Sequence, residues 1–196
     1  MKTFLEKQRH SSCRRYSIEY KKVKLGDVAE FINGMAFKPS DWGDTGLPII
    51  RIQNLTGKDK EFNRYNGYVD NKYKIKDGDL LFSWSATLDV FTYRGEDAVL
   101  NQHIFKVKSK NGYNIKFIKY LLKMSIDKMM EDAHGVAMKH VTKGTVENLE
   151  VNIPPLEHQL LISSLLSSYD SLIATVQSEQ DSLIKIKSQL MTDIFS

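Results

Sequence analysis

PPLEHQLLISSLLSSYDSLIATVQSEQDSLIKIKSQLMTDIFS, residues 154–196, runs to the last residue with no Gly and no Pro after Pro155. Pro155 suits the first turn of a helix, where its missing N–H costs nothing. Apolar residues then recur at heptad spacing. One seam position holds Ile162, Tyr169, Val176, Leu183 and Leu190, and its partner position holds Leu165, Leu172, Glu179, Ile186 and Asp193. Leu166, Ile173 and Ile194 widen the stripe. Roughly 40 residues at about 1.5 Å each predict a rod of about 60 Å. A head of about 130 residues is only about 30 Å across, so the helix is too long to lie on it. A rod with one apolar seam needs a partner to cover it. The expected arrangement is a globular head positioned by this helix.

Charge is distributed unevenly around that division. The chain carries +4 overall. The first 24 residues hold eight Lys and Arg against Glu6 and Glu19, whereas residues 154–196 hold Lys185 and Lys187 against five carboxylates. A basic arm can bind phosphate backbones and release counterions, or it can be a solvated tail. No run of 18 apolar residues suggests a membrane span, and no apolar signal core follows the basic N-terminus. The single cysteine, Cys13, leaves no intramolecular disulfide and no Cys-rich zinc site. The expected location is the cytoplasm.

Between these ends the pattern is mixed. Residues 1–23 read as a poorly ordered lead-in or short helix, 24–153 as the head, and 154–196 as the spacer helix. Asp27 is expected to cap a short helix buried through Val28, Ala29, Phe31 and Ile32. IIRIQNL (49–55) predicts a strand, with Arg51 and Gln53 on one face. Residues 57–67 read as a polar loop. LLFSW (80–84) and residues 103–108 predict strands, and residues 90–94 and 98–101 flank Gly95-Glu96-Asp97 as a hairpin. Phe117, Ile118, Leu121, Leu122, Ile126, Met129 and Met130 predict a helix over 115–130. Thr142 is a natural N-cap for 143–148, and residues 149–153 alternate as a strand. The fold class is α+β: a head of short, mostly antiparallel strands with helices packed on them, then one long coiled-coil helix.

Taken together and in order, GDVAEFINGMAFK (26–38), GLPIIRIQNL (46–55), KDGDLLFSWSAT (76–87), LNQHIFKVK (100–108), GVAMKHVTKGTVENLEVNIPPLEHQ (135–159) and the closing helix carry a resemblance. The chain resembles a target-recognition domain plus its long helix from the specificity subunit of type I restriction–modification systems. The resemblance implies a non-catalytic, sequence-specific DNA-binding subunit. In that family two heads each read half of a bipartite target, and two antiparallel helices fix their separation. Adenine methyltransferase subunits and a motor-nuclease subunit assemble on it. Typical members carry two head-plus-helix units and these residues carry one, so a half-subunit that dimerises, or a fragment, is expected.

The residues agree with an absence of chemistry. Asn152-Ile153-Pro154-Pro155-Leu156 only mimics the Asp/Asn-Pro-Pro-aromatic tetrad that holds a flipped adenine. There is no phosphate-binding loop for a motor, and the five histidines lack metal-ligand spacing. No cofactor and no metal are expected.

Base reading requires paired donors or acceptors on rigidly held loops: Arg and Lys for guanine, Asn and Gln for adenine. The candidates are Lys38 after the Asn33-Gly34 turn; Arg51, Gln53 and Asn54 at a strand end; Ser83 and Ser85 around Trp84; Gln102 in the Asn101-Gln102-His103 triplet; and Lys139, His140, Thr142 and Lys143. Each has a purely structural alternative: a helix stop, a solvated strand face, core packing or an internal polar corner. The resemblance places the last group close to DNA, with phosphate as the expected contact of both lysines. The dimer seam would be Ile162, Leu165, Tyr169, Leu172, Val176, Leu183, Ile186 and Leu190, giving a homodimer with a head at each end. A coiled-coil protein–protein adaptor without DNA readout is the competing interpretation.

Overall fold

The computed structural model describes residues 18–85, 87–132 and 142–195. Three sheets and a helical layer make the head. Strands β1 (Lys21–Lys24) and β10 (Glu150–Ile153) pair antiparallel, closing the head's two ends on each other. The basic lead-in therefore gives way to ordered sheet by Lys21.

The central sheet has the order β2 (Ala29–Asn33), β9 (Ile104–Ser109), β6 (Leu80–Ser83), β7 (Asp89–Thr92), all antiparallel. The outer sheet has the order β4 (Arg64–Tyr65), β3 (Leu47–Ile50), β8 (Ala98–Leu100), β5 (Lys74–Ile75), in which β3 and β8 run parallel. The head thus matches the expected α+β class.

The central sheet is buried on both faces, and its strands divide their side chains accordingly. Leu80, Phe82, Phe105 and Val107 face α3 (Ile115–Asp132) and the short helices α1 (Leu25–Val28) and α4 (Lys143–Glu147). Leu81 and Ile104 point the other way, onto Ile50, Ile75, Ala98 and Leu100 of the outer sheet. This is period-two alternation serving two cores. Phe31, Phe82 and Phe105 meet at the centre of the first, with ring centroids 5.9–6.5 Å apart.

Several sequence expectations change here. The first helix ends at Val28, and Ala29–Asn33 is a strand in which Ala29 and Phe31 are buried and Glu30 is exposed. Asp27 does not start that helix. Its carboxylate accepts the Lys24 N–H from the third helical position. The Leu47–Ile50 strand stops at Arg51, where Ile52–Leu55 turns into a short helix, α2. Arg51 and Gln53 therefore do not share a strand face. Residues 90–94 and 98–101 form no hairpin: β7 pairs with β6, while β8 crosses to the outer sheet. Ala98, Val99 and Leu100 are all buried, and a strand without a polar face needs cover on every side. Within the polar loop, Arg64–Tyr65 pairs with Leu47 and Pro48.

The closing helix, α5, spans Leu156–Phe195. Gln159 fastens its start. The Gln159 Oε1 accepts the Asn114 N–H at 3.0 Å, and its Nε2 donates to the Pro154 carbonyl at 2.9 Å. Asn114 in turn caps α3 by accepting the Phe117 N–H at 2.9 Å. One turn further on, Tyr120 donates to Asp170 at 2.7 Å and Lys119 pairs with it at 3.0 Å. These contacts, the Tyr120 hydroxyl first, hold the Asp170 carboxyl below its ordinary pKa. From Ser168 to Phe195 every side chain is exposed. The part of the helix after Asp170 extends about 40 Å beyond that brace at about 1.5 Å per residue. Among the described residues no helix is long and apolar enough to cross a membrane.

Candidate nucleic-acid interface

A cleft of about 430 Å³ opens where the end of β3, the turn after β6 and the loop before β9 converge. Phe37, Trp42, Ile52 and His103 contribute rings and apolar surface, and Arg51, Gln53, Thr56, Lys58, Ser85, Thr87, Asn101 and Gln102 contribute polar groups. Residues far apart in the chain meet here because β3 lies beside β8 and the central strands β6 and β9 are neighbours.

The wall is rigid for identifiable reasons. Arg51 lies at the end of β3, with its guanidinium 5.4 Å from the Trp42 ring centroid. Its Nη2 donates to Asp59 Oδ2 at 2.9 Å. Asp59 is held in turn, its Oδ1 accepting the Glu61 N–H at 3.0 Å. Beside that wall, Gly34 packs against the chain at Leu100 and Asn101. A Cβ at Gly34 would run into both carbonyl oxygens, so this close approach requires glycine. Met35 N–H donates to the Leu100 carbonyl at 2.7 Å, and the triplet 101–103 is pinned between strands. Trp84 packs against the core and, at 5.5 Å, against the His103 ring, so its role is packing.

Three polar atoms lining this cleft are buried without a hydrogen-bond partner: Arg51 Nε, Gln102 Oε1 and His103 Nδ1. Leaving a buried polar atom unpaired costs about 1–3 kcal/mol. Buried polar atoms of this kind are paired in native proteins by ordered water or by a ligand.

The sequence candidates divide on this geometry. Arg51, Gln53, Ser85 and Gln102 come together in the cleft. Asn54 does not: its Oδ1 accepts the Arg51 N–H at 3.0 Å, and its Nδ2 donates to the Glu61 and Asp59 carbonyls at 2.8 and 3.3 Å. Asn54 therefore shapes the turn. Ser83 is fully buried, donating to the Thr87 carbonyl and accepting the Asp89 N–H at 3.3 Å. It holds the β6–β7 connection and presents nothing outward.

Lys38 is exposed outside the cleft, its N–H bound to Asp41 Oδ2 at 2.7 Å. Thr142 caps α4 through Thr145 N–H at 3.2 Å, and Lys143 lies 3.5 Å from Glu147. Lys139 and His140 lie outside the described residues. Trp42, Thr56 and Thr87 also line the cleft and are not among the sequence candidates. Trp42 stands nine residues before Arg51 in a segment that reads only as loop, and no local spacing announces their contact. No group of three or more His, Cys, Asp or Glu suited to a metal occurs among the described residues.

Of the seam residues, Leu165, Tyr169, Leu172, Val176, Leu183, Ile186 and Leu190 are each more than half exposed. Ile162 is the exception. It is partly buried against the head's own core, because the first turns of α5 still lie against α3.

Residues 17–185 match the family model described as "Type I restriction modification DNA specificity domain". The chain is 27% identical over 168 residues to the type I restriction enzyme EcoBI specificity subunit of Escherichia coli, covering 84% of this chain and 35% of that protein. It is 25% identical over 183 residues to the MjaVIII specificity subunit of Methanocaldococcus jannaschii, covering 91% and 42%. Among solved structures, the HsdS subunit from Thermoanaerobacter tengcongensis superposes with a TM-score of 0.57 at 20% identity, over 82% of this chain and 40% of that one. A type I restriction–modification S subunit from M. genitalium gives 0.61 at 13%, over 84% and 42%. These structures share the fold. The chain spans less than half the length of each of these relatives.

Proposed function

We propose that this chain, which belongs to the type I restriction modification DNA specificity domain family, reads one half of a bipartite DNA target through the cleft formed by β3, β6 and β9. The observation that carries the reading is the convergence of Arg51, Gln53, Ser85 and Gln102 on one concave wall with three unpartnered polar atoms. Such a wall suits base edges, which offer fixed donors and acceptors. The exposed Lys38, with Lys139, His140 and Lys143, would make phosphate contacts that position the head without specifying sequence. Thr142 would serve by capping α4. The chain itself is non-catalytic in this reading.

The seam on α5 supports a homodimer in which two helices lie antiparallel and hold one head at each end. An antiparallel register in which paired residue numbers sum to about 355 joins Leu165 to Leu190, Tyr169 to Ile186 and Leu172 to Leu183 of the second copy, as seam layers require. A parallel pair would instead align Glu179 with Glu179 and Asp193 with Asp193. Adenine methyltransferase subunits, and a motor-nuclease subunit for cleavage, are the assembling partners this reading supplies. The location it implies is the cytoplasm, where such an assembly meets DNA.

Titration of the chain, alone and with its methyltransferase partner, against a panel of duplexes at several salt concentrations tests the reading. The expected result is a preferred sequence at least tenfold tighter than random duplex, with affinity falling steeply as salt rises. Equal affinity for every duplex in both combinations would favour the adaptor alternative.

A further inference from the structure

The proposal that the cleft faces DNA leaves open what it reads, and the arrangement around Arg51 bears on that. Arg51 carries five N–H donors in a rigid fork and no acceptor. One Nη2–H is taken by Asp59 at 2.9 Å, the guanidinium lies against Trp42, and Nε is buried without a partner. The side chain is thus fixed in direction while donors remain unspent. Asn54 contributes to that fixing twice: its Oδ1 holds the Arg51 N–H, and its Nδ2 ties down the Asp59 carbonyl. In the same cleft, on the segment that continues β8 beside β3, Gln102 has a buried, unpartnered acceptor in Oε1.

A fork of donors requires two adjacent acceptors. In the major groove only guanine presents them, as N7 and O6, and the next group across that pair is the cytosine amino donor. An A·T pair interrupts its acceptors with the adenine amino group. We infer that this cleft reads a G·C pair, with Arg51 donating to guanine, Gln102 Oε1 accepting from cytosine, and Asp59 acting as a positioning residue for Arg51. This rests on the cleft being the DNA-reading face. An Arg–carboxylate pair beside an aromatic ring would otherwise be a routine loop brace, and Asp59 has that structural duty too, through the Glu61 N–H. The unspent donors and the orphan acceptor in the same cleft are what separate the two roles.

The test uses the full chain assembled with its methyltransferase partner and duplexes bearing its methylated target. Each guanine in turn is replaced by 7-deazaguanine, which lacks the N7 acceptor but still pairs with cytosine. One guanine per half-site is expected to lose about tenfold in affinity on replacement, within the range of one bidentate contact. Arg51→Ala is expected to lose similar affinity on unmodified DNA and nothing further at that guanine. Asp59→Asn retains an oxygen for the Glu61 N–H and is expected to shrink the 7-deaza penalty while binding to random duplex stays unchanged, a pattern that mere loosening of the loop would not give. A penalty that persists undiminished in Arg51→Ala, or no sensitive guanine in a target that wild type binds specifically, would overturn the assignment while leaving DNA reading intact. Wild type that binds no sequence preferentially would remove both.

Discussion

Replacing Leu172 and Leu183 together by Glu is expected to turn a dimer into a monomer at micromolar concentration, with the head still folded. Both residues are more than half exposed, on the exposed stretch of α5 that runs past the Asp170 brace. In the antiparallel register they face each other, so the double variant places carboxylates in two symmetry-related layers. Each buried Leu side chain contributes about 1.5–3 kcal/mol when covered, and an unpaired buried charge costs several more. The combined loss exceeds the roughly 8 kcal/mol that defines a micromolar dimer. Sedimentation velocity reads the result directly. A dimer of wild-type strength would move the interface off this seam, and circular dichroism with a retained head transition would exclude simple unfolding.

The second large effect lies in the head. Phe105→Ala is expected to destabilise it by about 3–5 kcal/mol, which is a large fraction of the roughly 5–15 kcal/mol that holds a domain. Phe105 is buried on β9 against Phe31, Phe82 and Trp84. Its loss opens a cavity at the meeting point of four rings, and the strands around it cannot close without breaking their ladders. Urea titration at fixed protein concentration would show a lowered midpoint with an unchanged slope. Because Trp84 also rests against His103, specific DNA affinity is expected to fall as well. A loss of stability below about 1 kcal/mol, taken as the midpoint shift times the slope, would show that the three phenylalanines do not form the centre of the head.

Much of this was legible from residue patterns. The α5 helix, α3, the Thr142 cap and the strands at β3, β6, β9 and β10 follow from local rules of period, capping and β-branching. The Gln of PPLEHQ has a physical role that pattern does not announce: its Oε1 ties α5 to the start of α3, and its Nε2 holds the turn at Pro154. What local pattern could not supply was pairing. β7 and β8 look like a hairpin because Gly95 sits between them, yet they belong to different sheets. The same gap affected the site. Arg51, Gln53, Ser85 and Gln102 were each chosen on chemistry, and only the sheet order brings them together. Asn54 and Ser83 carry the same chemistry, but their hydrogen bonds are consumed within the head. Trp42 was missed because its partner, Arg51, is reached through the fold and not through spacing.

In the proposed function the helix is a spacer and the cleft a reader, and one measurement addresses both together. Cells carrying this chain as the sole specificity component, with its methyltransferase partner, can be profiled for adenine methylation across the genome. The account predicts methylation at an inverted repeat, two identical half-sites separated by a fixed run of unspecified bases, since two copies of one head related by a two-fold must read the same bases. Methylation that does not depend on this chain, or a target whose two halves differ, would contradict it.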